Sequence, residues 1–221
     1  MSRAEISIEG HRYPIQNIFC IGRNYAKHIA ELNNATPTEP LVFLKPTSAL
    51  AVEGDSIALP SFSEAIHYEA ELVIYIKEDA KNLSEASALS VIGAYGVGLD
   101  LTARDLQDQI KERGEPWTKC KGFPGAAIVS PFITAEKIKD PTDITFTFQQ
   151  NGELKQNGHS KMMIYPIAEI IAYLSTVYGL SKGDIIYTGT PEGVGKLAPG
   201  DQLTLTLEDQ ITAQFEIMKA K

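Results

Sequence analysis

The segment AIHYEAELVIYI, residues 65–76, alternates as a β-strand does, but it places two carboxylates on one face. Because successive side chains of a strand point to opposite faces, Glu69 and Glu71 lie on the same side, about 6–7 Å apart along the strand. At an effective dielectric constant of about 20, their mutual repulsion is roughly 2.5 kcal/mol. A bound cation would relieve this repulsion. The alternative interpretation is an exposed strand end with solvated glutamates.

A third acid follows in GAYGVGLDLTARDLQ, residues 93–107, where a glycine-rich strand meets a predicted helix. The small residues allow another backbone or a ligand to come close. Asp100 alone is most simply interpreted as a turn residue, but with Glu69 and Glu71 it completes a set of three carboxylates. No Cys or His cluster accompanies them, so this all-oxygen set favours Mg²⁺ or Mn²⁺ over zinc.

The composition is that of an acidic globular protein. Of its 221 residues, 43% are hydrophobic, and the formal net charge at pH 7 is −8. An acidic surface argues against nucleic acid as the main partner. No apolar stretch has the length of a membrane span, and no membrane partner is expected. Cys20 and Cys120 suggest buried thiols, and the N-terminus lacks the pattern of a signal peptide, so we expect a cytoplasmic protein.

Strand patterns outnumber helical patterns along the chain. Strands are predicted at residues 5–10, 17–22, 38–46, 56–60, 65–76, 91–101, 126–134, 145–158 and 201–218 and from residue 184, and helices at 24–34, 82–90, 102–114 and 164–178. These segments do not form regular βαβ units. They predict an α+β, mainly β fold, with mixed but mainly antiparallel strands and a few short flanking helices. Asn24 and Thr102 are candidate helix caps, Gly114 a helix terminator, and Asn151 with Gly152 a hairpin turn.

Two segments look like nucleotide-binding motifs, but neither matches the full motif. In GTPEGVGKL, residues 189–197, the glycines are one residue too far apart for a phosphate loop, and Leu197 stands where Ser or Thr is required. GVGLDL, residues 96–101, lacks the third glycine of a dinucleotide fingerprint, and no βαβ unit surrounds it. Nucleotide binding is therefore not expected.

The first predicted helix carries a His–Glu pair. His28 and Glu31 are three residues apart, so they adjoin on the helix surface, next to an apolar stripe. Glu31 can orient the imidazole and stabilise its protonated form, which leaves His28 as a base. From these residues alone, an exposed pair worth a few tenths of a kcal/mol is the simpler interpretation.

Six segments occur in chain order: IGRNYAKH, EPLVFLKP, HYEAEL, GLDLTARDLQ, PWTKCKGF and DIIYTGTPEGVG. Together they resemble the fumarylacetoacetate hydrolase family. The chain is most similar to the short acylpyruvase and oxaloacetate decarboxylase type, from about residue 17 to its C-terminus. The resemblance implies a mixed β-roll, usually a homodimer. It also implies one catalytic domain over residues 1–221, in which residues 1–16 are a short strand extension.

The resemblance also implies the roles of particular residues. The metal would be Mg²⁺ or Mn²⁺, and the His–Glu pair would lie on a short helix that orders over a small oxo-acid substrate. The implied metal ligands are Glu69, Glu71 and Asp100, the catalytic residues are His28, Glu31 and Lys121, and the substrate-binding residues are Gln107 and Thr190.

Alternative interpretations of single residues stay open at this point. An isolated lysine such as Lys121 is usually solvated, and Thr190 could simply form a turn ahead of proline. Lys45 and Arg104 could support the metal site, although for Arg104 we expect an ion pair with Asp100 or Asp105.

The implied activity is metal-dependent C–C bond cleavage in a 1,3-dicarbonyl (2,4-dioxo) acid such as an acylpyruvate or fumarylpyruvate. Oxaloacetate decarboxylation is a related activity, because both reactions generate a pyruvate enolate that a metal and Lys121 can stabilise. The alternative is an isomerase or decarboxylase of 2-hydroxy-diene dicarboxylic acids in aromatic catabolism, which would depend less on His28 and Glu31. A metal-stabilised binding protein is least favoured. Gly122 and Pro124 depart from the family pattern, and this departure leaves the substrate preference open.

Overall fold

The computed structural model describes residues 4–32 and 34–218, and in this part of the chain more residues lie in β-strands than in helices. The strands are β1 (Glu5–Ile8), β2 (His11–Pro14), β3 (Ile18–Gly22), β4 (Leu41–Lys45), β5 (Leu50–Val52), β6 (Ile66–Tyr68), β7 (Ala70–Ile76), β8 (Ile92–Asp100), β9 (Thr102–Ala103), β10 (Ala127–Val129), β11 (Ile133–Thr134), β12 (Thr145–Gln150), β13 (Glu153–His159), β14 (Ile185–Tyr187), β15 (Gly195–Lys196), β16 (Gln202–Leu207) and β17 (Ile211–Glu216). The α-helices are α1 (Ala26–Glu31), α2 (Glu85–Ala88), α3 (Arg104–Arg113), α4 (Thr118–Lys121) and α5 (Ile167–Val177).

The largest sheet has the strand order β4-β3-β14-β7-β8-β10-β5, and β11 also pairs with β8. Its β3–β14 and β5–β10 pairs are parallel, and its other pairs are antiparallel. A second sheet runs β13-β12-β16-β17, a third runs β15-β6-β9, and β1 pairs with β2. The predicted α+β, mainly β fold with a few short helices is confirmed. In the described part of the chain, no helix has the length and apolar character needed to cross a membrane.

The strand predicted over residues 65–76 is two strands that meet at Glu69. β6 belongs to the three-stranded sheet and β7 to the largest sheet, so the chain passes from one sheet to the other at this residue. β7 lies between β14 and β8 and is also packed by β12 and β13, so all its residues are buried. Glu69 is 5% exposed and Glu71 is 2% exposed. The alternative of solvated glutamates at an exposed strand end is therefore wrong.

Two local predictions, a helix terminator and a hairpin turn, are confirmed. Both depend on a left-handed backbone conformation. Gly114, with a φ of 67°, ends α3 in the left-handed conformation that glycine adopts most easily. Asn151 (φ 54°) and Gly152 (φ 78°) form the predicted turn between β12 and β13. Residues 56–60 are not a strand, because only Ile57 forms an isolated bridge, to Ile217.

The two predicted helix caps are wrong. α1 has Tyr25 at its N-cap and α3 has Ala103, and neither makes a side-chain capping bond. Asn24 is instead buried, and its side chain bonds the backbone of Tyr165 and Thr188, far along the chain. α1 ends at Glu31, before Asn33, which lies outside the described residues.

Candidate active site

The three predicted metal ligands converge at adjacent ends of two strands. Glu69 and Glu71 flank the first residue of β7, and Asp100 is the last residue of β8. The backbone N–H of Asp100 donates to the carbonyl oxygen of Glu69 at 2.8 Å, which keeps the two strand ends in register. One carboxylate oxygen of each acid lies within 4.8 Å of the others. Gly98 lies opposite Glu71 on β8, and a Cβ there would come within 2.5 Å of the carbonyl oxygen of Ile128.

Three cationic side chains neutralise two of these acids. The Lys121 Nζ lies 2.6 Å from Glu69 Oε2 and 2.6 Å from Asp100 Oδ2. The Lys45 Nζ lies 2.6 Å from Asp100 Oδ1, and the Arg104 Nη2 lies 2.5 Å from Glu69 Oε1. Lys45 and Lys121 are both buried, so Lys121 is not the solvated lysine of the alternative interpretation.

The prediction that Arg104 pairs with Asp100 or Asp105 is wrong. The guanidinium of Arg104 pairs with Glu69. The backbone N–H of Arg104 donates to the carbonyl oxygen of Ala65, which fixes the start of α3 against the segment that leads into β6. This position brings the side chain of Arg104 to Glu69. Asp105 instead accepts hydrogen bonds from the Ser63 hydroxyl and from a backbone N–H in the same segment.

Glu71 is the acid that lacks a cationic partner. Within the described residues it forms no ion pair, and its Oε2 accepts one hydrogen bond, from the backbone N–H of Gly189 at 2.6 Å. Burial raises the pKa of Glu71, and the charges of Asp100 and Glu69 raise it further. A third buried carboxylate without a counter-charge, in an all-oxygen donor set, fits a hard divalent cation such as Mg²⁺ or Mn²⁺. The residues present therefore fit the predicted metal.

Glu69 and Lys121 form a charged pair. Burial opposes ionisation of Glu69, but Lys121 and Arg104 together hold its pKa well below its usual range. Burial likewise opposes the charge of Lys121, but Asp100 and Glu69 raise its pKa above the usual value. The ammonium group is therefore a fixed positive charge next to the candidate metal position.

The predicted His–Glu pair lies on α1, above the acids. His28 Nδ1 is 3.4 Å from Glu31 Oε2, and Glu31 Oε1 accepts the backbone N–H of Gly193 at 3.1 Å. His28 is only 5% exposed, so this is not the exposed surface pair of the alternative interpretation. Burial lowers the pKa of His28, although Glu69 and Glu31 oppose that shift. The imidazole is therefore neutral near pH 7 and can accept a proton.

One cavity joins these groups. All predicted site residues line it except Glu31, which contacts His28 but does not itself line the cavity. Gln107 is buried and accepts a hydrogen bond from Arg104 Nη1 at 2.7 Å. Thr190 is buried on the loop that follows β14 and turns its side chain to this cavity.

The departure at Gly122 and Pro124 has a packing explanation at the glycine. A Cβ on Gly122 would come within 2.8 Å of both the Pro46 side chain and the carbonyl oxygen of Thr118. Neither Gly122 nor Pro124 lines the cavity, so the departure does not reshape its wall directly.

Gln156, a buried residue of β13, was not predicted from the sequence. It links the strand that carries the acids to the loop after β14 that carries Thr190. Its Oε1 accepts the backbone N–H of Ala70 at 2.8 Å, between the two glutamates. Its Nε2 donates to Thr190 Oγ1 and to the carbonyl oxygen of Pro191, each at 2.9 Å. The backbone N–H of Ala70 can only donate a hydrogen bond, and the carbonyl oxygen of Pro191 can only accept one. The side-chain amide of Gln156 therefore has a single orientation, with its oxygen towards Ala70 and its nitrogen towards Pro191. The Thr190 hydroxyl proton is then free to point into the cavity.

We expect Gln156→Met to lower kcat/KM by about 10- to 100-fold, the usual effect of removing a group that orients functional residues. The protein should stay folded, because methionine has a similar volume. Steady-state kinetics together with thermal unfolding would measure both effects. Gln214→Met, on the exposed face of β17, is the matched control and should change neither. Full activity of the Gln156 variant would contradict this role.

Comparison with known proteins places this geometry in a family. Residues 17–218 match the fumarylacetoacetate (FAA) hydrolase C-terminal family model. The chain is 41% identical over 202 residues to the mitochondrial oxaloacetate tautomerase FAHD1 of Bos taurus, with 91% of each chain covered. It is 42% identical over 197 residues to the oxaloacetate tautomerase YcgM of Escherichia coli (strain K12), with 89% of this chain and 90% of the relative covered.

A solved structure has the same fold. The crystal structure of fumarylpyruvate hydrolase from Pseudomonas aeruginosa, in complex with Mn²⁺ and pyruvate, superposes with a TM-score of 0.92 at 32% identity and covers 98% of this chain and 96% of that chain. The sequence match, the fold and the shared coverage agree with the predicted resemblance. This chain belongs to the fumarylacetoacetate hydrolase family.

Proposed function

We propose that this protein is a divalent-metal-dependent enzyme that acts on small 2-oxo acids through an enolate, with oxaloacetate as its preferred substrate. The observation that carries the proposal is the single cavity in which three buried carboxylates, a fixed ammonium group and a neutral imidazole meet. The names of two similar relatives, both oxaloacetate tautomerases, support oxaloacetate as the substrate.

Glu69, Glu71 and Asp100 would hold Mg²⁺ or Mn²⁺. When bound, such an ion would polarise the 2-oxo carbonyl group as a Lewis acid. The chain's own contribution is to fix the three acids on the ends of packed strands, so that they need no reorganisation during turnover.

Lys121 and His28 would carry the charge and proton steps. Tautomerisation of oxaloacetate moves one proton between its enol oxygen and C3, and His28 would accept and return that proton. The Lys121 ammonium stabilises the negative charge that develops on the enolate oxygen. Thr190 and Gln107 would orient the substrate carboxylate by hydrogen bonds. Decarboxylation would release CO₂ and leave an enolate of pyruvate, which then takes up a proton.

Hydrolysis of a 2,4-dioxo acid such as fumarylpyruvate is the second candidate function. Water adds to the C4 carbonyl, the C3–C4 bond breaks, and its electron pair forms the enolate of pyruvate, which is then protonated. His28 would take a proton from the attacking water, with Glu31 stabilising the imidazolium. The similarity to fumarylpyruvate hydrolase supports this candidate.

A kinetic panel with Mg²⁺ or Mn²⁺ tests the proposal. It should contain oxaloacetate, followed for tautomerisation and for CO₂ release, together with acetylpyruvate, fumarylpyruvate and a hydroxymuconate-type diene. We expect oxaloacetate to give the highest kcat/KM and EDTA to remove the activity. Full activity after chelation, or no turnover of any 2-oxo acid, would contradict the proposal.

We expect His28→Ala to lower hydrolysis of acylpyruvates by about 100-fold or more, the usual scale for loss of a general base. Decarboxylation of oxaloacetate should fall much less, because release of CO₂ needs neither an activated water nor a base. Parallel measurements on both substrates would show the difference, with His11→Ala on exposed β2 as the control. Equal losses for the two reactions would remove the separate role of His28.

We also propose one catalytic domain over residues 1–221 and a cytoplasmic homodimer. These three assignments stay predictions.

A further inference from the structure

The wall of the cavity carries two further cationic side chains, in addition to Lys121 and Arg104. Arg23 and Lys111 both line the cavity and are both half-buried. Within the described residues neither forms an ion pair with a carboxylate. A partly buried cation without a counter-charge lowers the stability of the folded protein, and a bound anion would offset this cost.

The backbone at Arg23 gives a second, independent observation. Its φ is 57°, in the left-handed region that non-glycine residues rarely occupy outside constrained sites. Among the residues that the structure describes, the side chain makes one long hydrogen bond, in which Nη1 donates to the carbonyl oxygen of Ala35 at 3.4 Å. The other guanidinium donors are thus available to a ligand.

Lys111 is held at the same wall by α3. Its Nζ lies 5.9 Å from the centroid of the Trp117 ring, which also lines the cavity. Burial lowers the pKa of Lys111, the positive charges of Arg104 and Arg23 lower it further, and the charges of Asp108 and Glu69 oppose part of that shift. These effects mean that the ammonium group lies close to other positive charges and would gain from a neighbouring anion.

The charges of the whole cavity point the same way. Four cationic side chains and three carboxylates line it, so the excess positive charge is one, and a divalent ion would raise it to three. A substrate with one carboxylate offsets only part of this excess. Arg104 is already engaged by Glu69 and Gln107, which leaves Arg23 and Lys111 for a second anionic group.

We propose that Arg23 and Lys111 form a subsite for the distal carboxylate of the substrate and thereby select dicarboxylic over monocarboxylic 2-oxo acids. The inference rests on the proposed function, because it takes the 2-oxo group to lie at the acids. It adds a specificity site that works through equilibrium binding, so it can be tested without turnover.

The test is binding of two non-hydrolysable probes to the Mn²⁺-loaded protein by calorimetry. 2-Oxoglutarate and 2-oxopentanoate have the same length and the same 2-oxo acid group, and they differ in a terminal carboxylate or methyl group. We expect 2-oxoglutarate to bind about 10- to 100-fold more tightly, the scale of one or two charge-assisted hydrogen bonds. Lys111→Gln and Arg23→Gln should each lower that ratio several-fold, and Lys111→Glu should reverse the preference.

Lys119→Gln is the matched control, because it removes an exposed lysine that does not line the cavity, and it should leave the ratio unchanged. Thermal unfolding would identify any variant that fails to fold, and the single Lys111 variants on α3 keep the test valid if Arg23→Gln does so. Equal affinities of the wild-type protein for the two probes would overturn the subsite alone. Failure of both probes to bind would overturn the proposed function and the subsite with it.

Discussion

Replacing Glu71 by glutamine is expected to abolish metal binding and to lower kcat/KM by about 1000-fold or more, while the metal-free protein becomes more stable. The activity loss follows because a metal acting as Lewis acid contributes several kcal/mol to the transition state, and about 1.4 kcal/mol corresponds to a factor of ten. The gain in stability follows because Glu71 is a buried acid without an ion-pair partner. Glutamine keeps its shape and can still accept the Gly189 N–H.

The sign of the stability change depends on pH. Folding raises the pKa of Glu71, so the wild-type protein loses stability as the pH rises through that value and the carboxylate ionises. Glutamine does not ionise, so its advantage should be about 1 kcal/mol or more at neutral and alkaline pH and should shrink as the pH falls. Mn²⁺ titration by calorimetry and thermal unfolding of the metal-free protein at several pH values would measure these effects.

Glu78→Gln is the control for this experiment, because Glu78 is an exposed acid just beyond the end of β7. It makes the same chemical change without touching the three acids, and it should alter neither metal affinity nor stability. A Glu71 variant that binds Mn²⁺ as the wild type does, or that is less stable without metal, would disprove the metal role of this residue.

Lys121→Met should have the opposite effect on stability and a similar effect on activity. Removal of the ammonium group leaves Glu69 and Asp100 less compensated in a buried position, which typically costs about 3–5 kcal/mol. In the proposed reaction, loss of the ammonium charge next to the enolate should lower kcat by about 100- to 1000-fold. Mn²⁺ should raise the Tm of the variant more than that of the wild type, because the ion replaces the missing positive charge.

Lys45→Met separates the structural part of this effect from the chemical part. Lys45 also pairs with Asp100 at 2.6 Å, and its side chain is completely buried, but it does not line the cavity. We expect a comparable loss of stability and a much smaller loss of kcat. Equal losses of kcat in the two variants would show that Lys121 acts only as a structural counter-charge.

The sequence allowed the acids to be predicted because their chemistry is local. Two carboxylates two residues apart on a strand must lie on one side of it, and an acid after a glycine-rich strand stands where other groups can approach. Their convergence depends on β7 and β8 being neighbours, which the family resemblance implied and the alternation alone did not. The burial of Glu69 and Glu71 could not be predicted from alternation, because β12 and β13 come from residues far along the chain.

The residues that hold the site were harder to predict for the same reason. Gln156 is 86 positions from Ala70, and Asn24 is 164 positions from Thr188, so no local pattern marks either contact. Both are uncharged side chains whose partners are mostly backbone groups, which gives them the appearance of ordinary turn or strand residues. Arg104 has two acids near it in sequence, and its choice of Glu69 instead depends on the position of β6.

The different attachment of the two halves of the active site bears on how such enzymes acquire new reactions. The acids and lysines are built into the hydrophobic core, whereas His28 lies on a helix of six residues. Outside its hydrophobic contacts, that helix is attached by an exposed Lys27–Glu192 ion pair and by the bond from Gly193 to Glu31, and such exposed pairs are worth little. Under the proposed mechanism, changes in this short helix would alter proton transfer by His28 without disturbing the three acids and their lysines. The same scaffold could in this way support tautomerisation, decarboxylation or hydrolysis after few substitutions.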